Sequence, residues 1–142
     1  MISNISPESA AGGLTHDEAI INRLPAVRAA TRAELYRRLL RGRAFLEANY
    51  SQDADLNATA RVACLSPFHF LRLFKVAFGR TPHQYLTDLR LAVARKRLLE
   101  TEESVGEIGL SLGFENVNSF GRLFRRHEGI TPQNFRRLSL AA

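Results

Sequence analysis

A chain of 142 residues, 45% of them apolar, can make one domain or two very small ones and is too apolar for global disorder. It contains no apolar run of about 18 residues that would span a membrane, and its start, "MISNISPESAAGGL", lacks the basic and apolar regions of a secretory signal. The formal charge is +6, and the whole surplus lies in residues 56–142, where thirteen Lys/Arg stand against seven Asp/Glu. Eighteen of the twenty basic residues are Arg, which grips phosphate bidentately and reads guanine edges. A plain solvated basic surface would give the same asymmetry. The lone Cys64 cannot bridge internally, so it reads as a small buried residue in a helix turn, consistent with a cytoplasmic address.

Residues 1 to about 18 read as a flexible lead without periodicity. Helical character starts at Asp17 and is interrupted at Pro25. A stronger helix is predicted from about Thr31 to Tyr50, with Leu35, Leu39, Leu46 and Tyr50 at helical spacing, until "SQDAD" breaks it. Asp55 can cap a short helix to about Ala63, and Cys64-Leu65 makes a turn. Ser66 then caps a second helix with Pro67 at its first position, and Gly79 ends it in the left-handed conformation. On that helix Phe70, Leu73, Phe74 and Ala77 form a core-facing stripe. Phe68, Arg72 and Lys75 occupy the open face, flanked by His69, Leu71 and Val76. Two short helices joined by a tight turn describe a helix-turn-helix.

Thr81–Glu100 is predicted as a short capped turn leading into a long connecting helix, with Leu86, Leu89, Val93 and Leu91, Ala94, Leu98 as its apolar rows. "SVGE" then reads as a capping box, Ser104 with Glu107. The turn "GFEN" follows, then a helix over about Asn116 to Glu128 with the stripe Phe120, Leu123 and Phe124. Gly129 ends this helix, and Thr131-Pro132 opens a last one. The second module copies the first. "RLFKVAFGRTPHQY" at Arg72–Tyr85 and "RLFRRHEGITPQNF" at Arg122–Phe135 are identical at six of fourteen positions. The second turn is one residue longer, because Ala60 matches Gly109 at an offset of 49 and Phe74 matches Phe124 at 50.

The pieces "ARVACLSPFHFLRLFKVAFGRTPHQYL", "LRLAVARKRLL" and "VGEIGLSLGFENVNSFGRLFRRHEGITPQNFR" make the chain resemble the AraC/XylS family of bacterial transcription regulators, over roughly Leu35 to Arg137. The resemblance implies an all-α domain of about seven helices, in which two helix-turn-helix units are tied by one helix and each unit places its second helix in the DNA major groove. The expected boundaries are a lead and linker helix over 1–34, a first unit over 35–86, a connecting helix over 87–100 and a second unit over 101–142. "RLPAVRAATRAELYRRLL" looks like an interdomain linker helix, which favours a piece of a longer regulator over a stand-alone member. Two residues depart from the family pattern. Thr59 stands where a larger apolar residue is usual and Gly109 where Ala is usual, and both are expected to loosen packing slightly.

Double-stranded DNA is the expected partner, with RNA polymerase as a second one. No membrane, cofactor or small-molecule effector is indicated, and the DNA-binding unit is expected to act as a monomer. Arg72 and Arg122 hold equivalent open-face positions and are the first candidates for base reading. A phosphate contact or an intramolecular ion pair is the other reading of each. His69 could donate to a base or a phosphate. Phe68 and Leu71 either meet thymine methyls or pack over the turn. Asn116, Asn118 and Ser119 lie near a helix start, where they either read bases or cap the helix, and Val117 beside them could touch a thymine methyl. Ser66, Lys75, Arg80, Thr81, Gly121, Arg125, Arg126 and Thr131 are the phosphate candidates. Gly121 costs about 1 kcal/mol against Ala inside a helix, which a close approach of DNA backbone would explain and drift would explain equally. His127 matches Ala77 on the buried stripe and reads as a packed histidine.

The four His and one Cys show no metal-ligand spacing, and neither a Gly-rich phosphate loop nor a nucleophile–base pair is present. Some members of the resembled family join this unit to a cysteine-based repair domain, but one cysteine cannot supply a four-Cys metal site. No catalytic residue is proposed. The alternative to a DNA binder is a helical interaction module, an anti-regulator or polymerase-binding adaptor with little DNA specificity.

Overall fold

Thr15 caps the first helix reciprocally. The Glu18 N–H donates to Thr15 Oγ1 (3.1 Å), and the Thr15 N–H donates to Glu18 Oε2 (2.8 Å). These hydrogen bonds hold Glu18 below the usual carboxylate range. They start α1 (His16–Arg23), so the predicted lead extends too far towards the C-terminus. The computed structural model describes residues 15–25, 29–52 and 55–140; the rest of the expected lead, residues 1–14, lies outside them. Among the described residues the secondary structure is entirely helical: α1, α2 (Ala29–Ala48), α3 (Leu56–Val62), α4 (Pro67–Phe78), α5 (Pro82–Glu100), α6 (Val105–Ser111), α7 (Val117–Glu128) and α8 (Pro132–Leu140). No helix there is long and apolar enough to cross a membrane. The all-α architecture with paired helix-turn-helix elements is the one expected. In place of the expected turn before the connecting helix, α5 runs unbroken from Pro82, because "HQYLTD" contains nothing that stops a helix once Pro82 has started it.

The chain divides into two compact units. The first takes the chain up to Ala44 together with Leu56–Pro82, and the second takes Phe45–Asp55 together with the chain from His83. In the first unit α4 packs against α1 and α3. Ile20, Leu24, Tyr36, Leu39, Ala60, Ala63, Phe70, Leu73, Phe74 and Ala77 are buried there. The stretch that resembles a linker helix therefore contributes Tyr36 and Leu39 to a core. In the second unit α7 packs against α6 and α8, around Leu91, Ala94, Leu98, Ile108, Leu112, Phe120 and Phe124.

Each unit seats a buried phenylalanine over a glycine. A Cβ on Gly42 of α2 would lie 2.5 Å from the Phe70 ring, and one on Gly109 of α6 would lie 2.8–2.9 Å from the Cδ2, Cβ and Cγ atoms of Phe120. Gly109 therefore tightens the core that it was expected to loosen, since α6 and α7 approach too closely there for a methyl group. Thr59 is buried.

Arg90 fastens the end of α2 within the second unit. Its Nε donates to the Tyr50 carbonyl (2.7 Å) and its Nη2 to the Gln52 carbonyl (2.8 Å), while its guanidinium lies over the Phe114 ring. Arg136 does the same for the end of α5, donating to the carbonyls of Leu98 (2.9 Å) and Thr101 (3.2 Å). These arginines satisfy carbonyls in the last turn of a helix or just past its end, where no intrahelical donor is available.

Candidate nucleic-acid interface

The open face of α4 is built by its two ends. Ser66 Oγ accepts from the His69 N–H (3.2 Å), Pro67 takes the first position, and Gly79 closes the helix at φ 75° with its N–H donating to the Lys75 carbonyl. Burial of Phe70, Leu73, Phe74 and Ala77 then leaves Phe68, His69, Leu71, Arg72 and Lys75 exposed, as the stripe dictates. Phe68 is 67% exposed, a large apolar side chain held in water with its ring beside that of His69. Phe68, Leu71, Arg72, Lys75, Val76 and Thr81 together line an open hollow of about 610 Å³. Val76 was expected on the flank of this face and Thr81 among the phosphate candidates, but not their enclosure of a hollow with Phe68 and Leu71. A signal existed: residues 68, 71/72 and 75/76 recur at i, i+3/i+4 and i+7/i+8, a second helical stripe beside the core one.

Helix α7 is built alike. Asn116 Oδ1 accepts from the Ser119 N–H (2.8 Å), which commits that oxygen to the cap, and Gly129 closes the helix at φ 84°. Val117, Asn118, Arg122, Arg125 and Arg126 are exposed, and Ser119 is half-buried. Val117 lies against Gly106, its Cγ2 3.8 Å from where a side chain there would begin. A Cβ added to Gly121 would meet nothing within 4 Å. At the start of α8, Thr131 Oγ1 accepts from the Asn134 N–H (3.2 Å). Arg80 is exposed and Thr81 half-buried.

Two residues differ from expectation. Cys64 is exposed, because it takes the left-handed corner of the first turn (φ 57°), which directs its side chain outward. His127 is exposed on α7, whereas its counterpart Ala77 is buried. Helix α4 carries α1 and α3 against it, whereas α7 packs against α6 and α8. Among the described residues no group of three His, Cys, Asp or Glu could hold a metal ion.

The sequence profile described as "Helix-turn-helix domain" matches residues 59–138. The chain is 38% identical over 93 residues to the HTH-type transcriptional activator RhaS of Enterobacter sp., covering 66% of this chain and 34% of that protein. It is 36% identical over 91 residues to the HTH-type transcriptional regulator ArgR of Pseudomonas aeruginosa, covering 64% and 28%. The chain thus spans well under half of these relatives' length. Among solved structures it is similar to an AraC-type DNA-binding domain-containing regulator from Chromobacterium violaceum, at TM-score 0.66 and 31% identity over 78% of this chain and 95% of that one. It is also similar to the DNA-binding domain of AdpA in complex with a target DNA, at TM-score 0.69 and 27% identity, covering 72% and 93%.

Proposed function

Because the chain belongs to the AraC family of helix-turn-helix transcription regulators, we propose that it binds double-stranded DNA sequence-specifically, laying α4 and α7 in successive major-groove faces of one duplex. The supporting observation is an element built twice: a helix capped at both ends, with phenylalanines buried along one side and Arg72 or Arg122 exposed on the other. A recognition helix reads only a few base pairs, and two on one chain can read faces about 34 Å apart, one full turn of duplex. Duplication within the chain thereby replaces dimerisation, so the site is asymmetric and one chain fills it. If the helices lie closer than one turn, the DNA bends, at a cost of roughly 1–6 kcal/mol. Arg72 and Arg122 read base edges. Lys75, Arg80, Arg125 and Arg126, with the capped starts at Thr81 and Thr131, hold phosphates. The place of action is the cytoplasm, and RNA polymerase is a second partner, in keeping with the word activator in the name of the 38% identical relative.

Selection of bound sites from a random oligonucleotide pool, followed by footprinting, tests this reading. Arg72→Ala and Arg122→Ala should each relax preference in a different half of the site, by about 1–3 kcal/mol of discrimination. Identical site profiles for both variants and the parent would remove the proposed contacts. A two-fold symmetric site filled by two chains would reject the one-chain mode.

A further inference from the structure

The two copies diverge most on the face that the fold leaves open. At an offset of 50, the cations are kept: Arg72 matches Arg122, and Lys75 matches Arg125. The apolar residues are not, since Phe68, Leu71 and Val76 match Asn118, Gly121 and Arg126. In the first unit the three apolar side chains, rimmed by Arg72 and Lys75, form the open hollow of about 610 Å³. The major groove offers one apolar feature, the pyrimidine C5-methyl group, among hydrogen-bonding donors and acceptors. A helix that enters the groove with Phe68 and Leu71 foremost must meet methyl groups, or it strips water from polar base edges without replacing the hydrogen bonds. Phe68 and Leu71 stand three residues apart, about 4.5 Å along the helix axis, close to the roughly 3.4 Å between stacked bases on one strand. Arg72 and Lys75 supply the positive charge that a phosphate-lined groove attracts, which an apolar protein partner would not require.

From this we infer that the first unit reads pyrimidine C5-methyl groups, of thymine or 5-methylcytosine, in the hollow of Phe68, Leu71 and Val76, while the second unit reads polar base edges. The inference rests on the DNA-binding reading above and names what the first half of the site contains.

The test measures affinity of the full chain for its selected site, for that site with deoxyuridine replacing thymidine in the half assigned to Arg72, and for the same replacement in the half assigned to Arg122. Deoxyuridine removes only the methyl group. The expected result is a loss of roughly fourfold per contacted methyl in the Arg72 half and a smaller loss in the other, where Val117 is exposed at the start of α7. Phe68→Ala, at an exposed position, should weaken binding to the thymidine site and abolish the difference between thymidine and deoxyuridine, with unfolding midpoints confirming the fold. Replacing a thymine there by 5-methylcytosine should keep more affinity than replacing it by cytosine. Specific binding that is indifferent to deoxyuridine would overturn the methyl reading and leave the DNA function standing. Binding unaffected by Phe68→Ala would do the same and return the hollow to a protein partner. An absence of preference for any sequence would overturn both.

Discussion

Cys64 and Gly113 hold the same corner of the two turns, 49 positions apart, and both are left-handed, at φ 57° and 96°. Glycine accepts that conformation freely, whereas a side chain there costs about 1–2 kcal/mol. Cys64→Gly should therefore raise stability by up to about 1 kcal/mol once the greater freedom of glycine in the unfolded chain is offset, read as a higher urea midpoint. A lower midpoint would show that the exposed thiol makes a contact that outweighs the strain. Gly113 has a second reason to be glycine, because a Cβ would lie 2.9 Å from both Arg90 Nη2 and the Ser51 carbonyl oxygen. Gly121 has neither reason: its surroundings are open, so no protein neighbour requires it. Gly121→Ala should stabilise the fold by up to about 1 kcal/mol, and weaken DNA binding if backbone phosphate comes close there. Unchanged affinity would strike Gly121 from the interface.

At the scale of elements, α1 is tied to α2 by the Tyr36 hydroxyl, which donates to Asp17 Oδ1 at 2.9 Å. Burial, with the Asp17 carboxylate beside it, pushes the Tyr36 phenol up to about 12. The unfolded chain releases this proton near pH 10, while the folded chain keeps it until about pH 12. Folding stability should thus fall as pH rises through that window, and Tyr36 should add no pH dependence below it. Tyr36→Phe should lose about 0.5–1.5 kcal/mol at neutral pH through the missing hydrogen bond, and show a shallower alkaline fall. An equally steep fall in both proteins, followed by denaturant titration at each pH, would assign the alkaline sensitivity elsewhere. At the C-terminal end of α5, Arg97 pairs with Glu103 and holds its carboxyl below the usual range. That contribution is present above the ordinary carboxylate pKa and disappears as acid protonates the depressed group.

For the molecule as a whole, the charge asymmetry becomes a salt dependence. The four proposed cationic phosphate contacts, Lys75, Arg80, Arg125 and Arg126, predict a slope of about −3.6 in log affinity against log salt, and Arg125→Ala should reduce its magnitude by about 1. A flat salt response would favour association with a protein in place of DNA.

Helix positions, caps and the duplicated unit were legible in the chain, because each depends on residues within a turn or two of one another. Ser66 with Pro67, Ser104 with Glu107, and Gly79 and Gly129 act locally, and a 3.6-residue stripe names its own buried face. What covers that face is set by distant segments. Ala77 and His127 share a register position, yet α1 packs on α4, while α6 and α8 pack on α7. Gly42 and Gly109 look alike in sequence to any small helical residue, and only the approach of Phe70 and Phe120 shows that a methyl group would not fit. Local chemistry decided where the chain is helical and which side of each helix turns inward; close packing between segments far apart in sequence decided which small residues are obligatory and which register positions are covered.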